Sequence, residues 1–167
     1  MKNLFDLNTF SGKIIDEESD LIPLMTSDDE EAINKEKLPK SLSILPLKNT
    51  VLFPGVVIPI TATRNKSVKL IKACNKGSKL IGVVSQINNK VSDPKIHDIN
   101  NIGTVAKILR VLQMPDGNLT IIIQGKKRFK IEKIISEKPF IKADISEIKE
   151  IKPQKNDKKY NATIDSV

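Results

Sequence analysis

Residues 45–60 read LPLKNTVLFPGVVIPI, the most apolar stretch of the chain, and they carry prolines at 46, 54 and 59. Any of these prolines breaks a helix, and a central strand loses a ladder hydrogen bond at each. The stretch is therefore read as strand, turn, strand. SLSILPL (41–47) is a short alternating run closed by Lys48-Asn49. VVIPITA (56–62) is a second strand, with Pro59 suited to an edge or a strand start. Between them Pro54-Gly55 makes a turn that cuts one apolar run into two.

Working outward, NKSVKLIKACNKG (65–77) has helical spacing: Val68, Ile71 and Cys74 fall three apart with Leu70 beside them. Asn65 is the expected N-cap and Gly77 the expected C′ residue. KLIGVVSQ (79–86) reads as a buried strand, followed by the polar loop 88–100. GTVAKILRVLQ (103–113) and LTIIIQG (119–125) flank Met114-Pro115-Asp116-Gly117-Asn118, a turn with Pro and Asp in favoured places and Gly free to take φ > 0. This is an antiparallel hairpin. KRFKIEKII (127–135) continues it. FIKADISEI (140–148) alternates Ile141, Ala143 and Ile145 against Lys142, Asp144 and Ser146. The expected fold is α+β and mainly β, with about six mostly antiparallel strands and one helix.

Charge divides the chain. Residues 1–40 carry ten Asp/Glu against five Lys, a net of −5, so the remainder holds +13 of the total +8. The acidic part contains DEESD (16–20) and SDDEE (27–31), separated by an apolar island, LIPLM (21–25), and Thr26. Dense like charge with little apolar surface predicts a disordered extension over 1–40, one that solvates the chain or folds back weakly on the basic body. Residues 41–150 form the expected domain. IKPQKNDKK (151–159) reads as a linker, and YNATIDSV (160–167) as the first two turns of an amphipathic helix separated from its packing partners.

One cysteine, Cys74, excludes an internal disulfide framework and fits a reducing compartment; with one histidine, His97, it leaves no His/Cys zinc cluster. Cys74 lies on the apolar stripe of the helix and is expected to be a buried thiol, while His97 is expected at the surface. No stretch approaches the roughly 18–20 apolar residues of a membrane span, and the N-terminus lacks a signal-peptide core. A cytoplasmic, soluble protein is expected, with no membrane contact.

ILPLKNTVLFPGVVIPI (44–60) closely resembles the N-terminal signature of Lon proteases. The resemblance continues in order through RNKSVKLIKAC and GTVAKILRVLQMPDGNLTIIIQGKKRFKI, covering roughly residues 42–148. It implies a six-stranded pseudo-barrel with one helix, similar to PUA domains, then the start of a helical subdomain. It also implies a parent enzyme that is an ATP-dependent Ser-Lys protease acting in protein quality control as a homo-oligomer, a hexameric ring. ATP and Mg are expected only in that parent's ATPase domain. No cofactor or metal is expected in this segment. Gly77 and Gly82 have the glycine spacing of a P-loop, but Val83-Val84 follow where Lys-Ser/Thr is needed, and no G-x-S-x-G occurs. The segment is therefore expected to bind unfolded or regulatory proteins and to catalyse nothing.

The candidate contact residues follow. Phe53, Pro54, Gly55 and Val56 are read structurally as the turn itself, and functionally as an apolar loop whose exposed part touches clients. Burial of about 400 Å² there yields roughly 10 kcal/mol gross, which association costs of roughly 4–15 kcal/mol mostly consume. The expected grip is weak singly and strong in a ring. The resemblance also points to Arg64, Asn65 and Lys66 as a client or partner edge, against a plain solvated helix start. Met114 and Pro115 offer a flexible apolar tip, or merely fold back on the sheet. The alternative is a stand-alone binding protein. More distant is a nucleic-acid binder, in which Lys126, Lys127, Arg128 and Lys130 neutralise phosphates and Phe129 stacks a base. The alternation of the strand argues instead that Phe129 points inward.

Overall fold

The computed structural model describes residues 35–149 and 151. Within them lie β1 (Ser41–Leu47), β2 (Val57–Ala62), α1 (Asn65–Lys76), β3 (Leu80–Ser85), a 3₁₀ turn (Ile96–Asp98), β4 (Ile102–Gln113), β5 (Leu119–Ser136) and β6 (Lys142–Glu147). The strands form one sheet in the order β2-β5-β4-β3-β1-β6, and β6 also pairs with β5. Five strands thus close into a ring, with β2 attached outside it. All pairs are antiparallel except β1 with β3, where Ile44 lies opposite Gly82.

β5 makes this closure possible by its length. One edge pairs with β4 from Leu119 to Lys130. The other edge is shared: β2 takes Leu119–Gln124 and β6 takes Phe129–Ser136. LTIIIQG and the KRFKIEKII expected to continue it are one strand. It bends by bulges. Lys126 and Lys127 together face the single residue Val105, and Ile135 is an extra residue between its paired neighbours against β6. On β4 the extra residue is Leu109. These bulges explain why Leu109 and Ile135 stand about half exposed although their strands are otherwise well packed.

Two apolar clusters use opposite faces of the same strands. The first joins Leu45 and Leu47, Ile81 and Val83, Ile108, Leu119, Ile121 and Ile123 to the helix residues Leu70 and Ile71. The second gathers Leu42, Ile44, Val84, Val105, Ile141 and Ala143 around Phe129. Burial on both faces is why KLIGVVSQ reads as an unbroken apolar run rather than an alternating one. Phe129 is fully enclosed because two glycines leave it room. A Cβ on Gly82 would lie 2.9 Å from its ring, and one on Gly103 would lie 3.1 Å from it and 2.3 Å from the Val83 carbonyl oxygen.

The prolines fall where the ladder permits them. Pro59 is on β2, which pairs on one side only. Pro46 lies beyond Ser43, the last β1 residue paired with β6. Pro54-Gly55 forms the expected turn, with Gly55 at φ 82 and the Val56 N–H donating to the Phe53 carbonyl at 3.3 Å. This is the pattern of a type II turn.

Some local expectations are corrected. Asn65 is the first helical residue rather than the N-cap; Arg64 occupies that place in extended conformation, with no side-chain cap. Gly77 ends α1 at φ −108, so it is not left-handed. Lys79, at φ 58, makes the reversal instead, its N–H donating to the Cys74 carbonyl at 3.0 Å. Residues 35–40 belong to the segment expected to be disordered, yet Leu38 packs against the second cluster and the Lys40 carbonyl accepts from the Ile145 N–H at 3.0 Å. The rest of the acidic extension and the 160–167 helix lie outside the described residues.

Candidate functional site

The turn between β1 and β2 presents apolar side chains to solvent from a backbone that is tied down on both sides. Leu52 is buried, whereas Val51, Phe53 and Val56 are 59%, 61% and 43% exposed. The Thr104 hydroxyl donates to the Leu52 carbonyl at 2.6 Å. The Gly55 N–H donates to the Gly125 carbonyl, and the Gly125 N–H to the Val56 carbonyl, each at 2.9 Å. The approach is so close that a Cβ on Gly125 would stand 2.2 Å from the Phe53 carbonyl oxygen. Phe53 is thereby held outward on a fixed loop.

The exposed portions of these three side chains amount to somewhat more than one and a half whole ones. At about 1.5–3 kcal/mol each, their burial yields roughly 2.5–5 kcal/mol gross. That is less than half of the sequence-based figure, because Leu52 faces the core and Pro54 and Gly55 are half-buried.

Sequence register separates the other candidates from this loop. β2 begins beside it, with Val57 opposite Gln124, and ends with Ala62 opposite Leu119. Arg64–Lys66 and the Met114–Pro115 tip lie beyond that far end, about 20 Å along the strand at roughly 3.3 Å per residue. Met114 is half-buried, its N–H donating to the Asn118 carbonyl at 2.9 Å, and Pro115 is exposed. Asn65 is exposed.

Arg64 and Lys66 tie the start of α1 to the loop after β3. An Arg64 Nη2–H donates to Gln86 Oε1 at 2.7 Å, and Gln86 Nε2 in turn donates to the Val91 carbonyl at 3.1 Å. Partial burial lowers the Arg64 pKa, opposed by the nearby charge of Asp93. Lys66 Nζ meets Asp93 at 2.7 Å on the surface. Two clefts flank this helix start, and Arg64, Ser67 and Pro46 line both.

The basic run does not form one face. Lys127 is buried on the same side of β5 as Phe129, with Nζ 3.1 Å from Glu147 Oε1, whereas Arg128 and Lys130 are exposed and Lys126 is half-buried. Phe129 is 0% exposed and offers no ring to a base. Cys74 is half-buried against the first cluster, and burial pushes its thiol pKa up, with a Ser43 hydrogen bond and Lys142 opposing. His97 is exposed. Among the described residues no His/Cys/Asp/Glu group has the arrangement of a metal site, and no helix is long and apolar enough to cross a membrane.

The sequence reading missed Val51, Thr104 and Gly125. Gly125 did leave a signal: an isolated glycine in a strand marks a close backbone approach. Thr104 left none, since its partner is a carbonyl 52 residues away.

This fold is shared with known proteins. The model of the ATP-dependent protease La (LON) substrate-binding domain matches residues 41–167. The chain belongs to this family. The Lon protease of Flavobacterium johnsoniae is 57% identical over 164 residues, which is 98% of the chain and 20% of the relative. That of Cytophaga hutchinsonii is 51% identical over 148 residues, 89% of the chain and 18% of the relative. The chain thus spans about a fifth of these Lon proteases, the portion that matches a binding domain. The N-terminal domain of a Mycobacterium avium complex Lon protease has the same fold, with a TM-score of 0.60 at 21% identity over 76% of this chain and 64% of that one. The family match begins at residue 41, whereas the Flavobacterium alignment takes in the acidic extension as well.

Proposed function

We propose that this chain is the client-capturing region of a cytoplasmic Lon-type ATP-dependent protease, and that Val51, Phe53 and Val56 are its principal client contacts. The observation that carries the reading is the pinned apolar loop: three exposed side chains on a backbone anchored by Thr104 and Gly125. A fixed loop loses little conformational freedom on binding, so more of its gross 2.5–5 kcal/mol is retained. That gain still falls short of the cost of association for one domain. Copies held together in a ring compensate, because avidity of roughly 10²–10⁴-fold needs no new contact. Weak, repeated capture of misfolded or regulatory proteins suits a machine that must pass its client on. ATP, Mg and peptide-bond cleavage belong, on this reading, to the rest of the protease.

The test is binding of a fluorescein-labelled peptide with several apolar stretches to the chain and to Val51→Ser/Phe53→Ser, each displayed at high density on beads so that several copies engage one peptide. The substituted chain should fold equally well, since both positions are exposed, and lose most of its binding. Binding by the parent should survive added salt, as apolar contacts do. Unchanged binding in the double variant, or binding that collapses with salt, sinks the loop as the contact site.

A further inference from the structure

Beside the first turn of α1 lies a cleft of about 280 Å³, smaller than the roughly 300–1,000 Å³ of small-molecule sites. Its floor is apolar, made by Ile44, Pro46, Leu70, Pro94, Phe140 and Ile141. The rim carries Arg64, Lys66, Lys95 and Lys138 against Asp93 and Glu137. Lys66 and Asp93 are satisfied by each other, and Arg64 bonds the neutral Gln86 amide. Lys95 and Lys138 are in no ion pair among the described residues. The first turn of α1, whose Lys66 and Ser67 line the cleft, contains no acidic residue to offset the positive end of the helix dipole.

An apolar floor under a cationic rim fits a peptide with an aliphatic anchor between acidic flanks. The chain contains such a segment at residues 16–31, DEESDLIPLMTSDDEE, with eight carboxylates and no basic residue. We propose that Leu21–Met25 of this chain's own N-terminal extension docks in the cleft, with the flanking Asp and Glu residues against Lys95, Lys138 and Arg64.

The tether permits it. Leu38 packs on the second cluster, which shares Ile44 and Ile141 with the cleft floor. Twelve residues, and so thirteen chain steps, lie between Met25 and Leu38. They reach about 45 Å when extended and average about 20 Å as a coil. A domain of this size has a radius of gyration of about 13 Å, so the anchor is never out of range. The effective concentration of so short a tether is on the order of millimolar, so a contact too weak to detect between separate molecules fills the cleft within one. No residue of 51–56 lines this cleft, so the proposal stands or falls apart from the loop reading.

The chain has no tryptophan, and Leu24→Trp supplies a sole reporter. In the full chain at low salt, its emission should be blue-shifted and its acrylamide quenching several-fold weaker than in the free peptide 16–31 carrying the same substitution. Both differences should be independent of protein concentration. Raising salt from 0.01 to 1 M, which shortens the Debye length from about 30 Å to about 3 Å, should abolish them. Lys95→Glu/Lys138→Glu should do the same at low salt, with Lys95→Ala/Lys138→Ala as the milder variant if the charge-reversed chain does not fold. Emission and quenching equal to the free peptide overturn the proposal. Protection that grows with protein concentration assigns the cleft to a second copy and overturns it too, as does protection indifferent to both pairs of substitutions.

Discussion

Gly125→Ala tests whether the apolar loop is pinned as described. The new Cβ would stand 2.2 Å from the Phe53 carbonyl oxygen and 3.0 Å from its carbon, both backbone atoms. To reach even a 3.0 Å contact, the loop must retreat by about 0.8 Å, which stretches the two 2.9 Å hydrogen bonds at this position to roughly 3.7 Å, beyond a useful length. Two backbone bonds at about 0.5–1.5 kcal/mol each, added to an overpacking penalty of about 1–3 kcal/mol, give a loss of about 2–6 kcal/mol. With a urea slope of about 2 kcal/mol per molar, the unfolding midpoint falls by about 1–3 M. The matched control is Gly77→Ala, where the nearest atoms are 3.8 Å away and φ is negative. With nothing to clash it should lose less than Gly125→Ala, and its ψ of −126 is not one at which alanine gains through the unfolded state. If both variants unfold within about 0.3 M of the parent, the clamp at Gly125 is wrong and with it the rigid presentation of Phe53.

Thr104→Val keeps the side-chain shape and removes the bond to the Leu52 carbonyl; urea unfolding should show a loss of about 1–3 kcal/mol, because that buried carbonyl gains no other partner. Phe129→Ala empties a fully enclosed ring site and should cost about 3–5 kcal/mol, a large share of a typical 5–15 kcal/mol, seen as a collapse of the thermal midpoint. Cys74 has its thiol pKa raised above the ordinary 9.0 by burial. The folded state therefore holds that proton longer than the unfolded state, and the associated stability is intact below pH of about 9.0 and lost as pH rises through the folded pKa. Urea midpoints between pH 8 and 10.5 should fall less steeply for Cys74→Ala than for the parent; equal slopes refute the assignment.

Much of this fold was legible because its local signals agree with one another. The hairpin 103–125 announces itself through its turn chemistry, and the 65–76 helix through its spacing. Pro54 divides the opening stretch where the strands in fact divide, while Pro46 and Pro59 lie within β1 and β2 at places the ladder permits. What was not legible depends on long-range closeness. Asn65 is not the N-cap because Arg64, hydrogen-bonded to Gln86 across the fold, takes the extended position before the helix. The basic run looked like one patch because composition does not reveal that a bulge at Lys126-Lys127 turns Lys127 toward Glu147. Of the loop residues, only Phe53 and Val56 could be read as exposed apolar contacts. Val51 was passed over, and the groups that fix the loop lie 52 and about 70 residues downstream.

β5 couples stability to the presentation of the loop. Its first half forms the ladder for β2, Gly125 holds the loop, the bulge follows at once, and its second half closes the ring through β6. A change that loosens closure near Phe129 therefore acts four residues from the clamp. Surface substitutions usually move stability by less than about 0.5 kcal/mol, so exposed Phe53 is free to vary without cost to the fold. Gly125 is not, since its missing side chain serves the ring and the loop together. Chemical diversity in such a domain can therefore accumulate at Val51, Phe53 and Val56 while the backbone beneath them stays fixed. On the proposed function, this is the arrangement that lets one rigid frame grip many unlike clients.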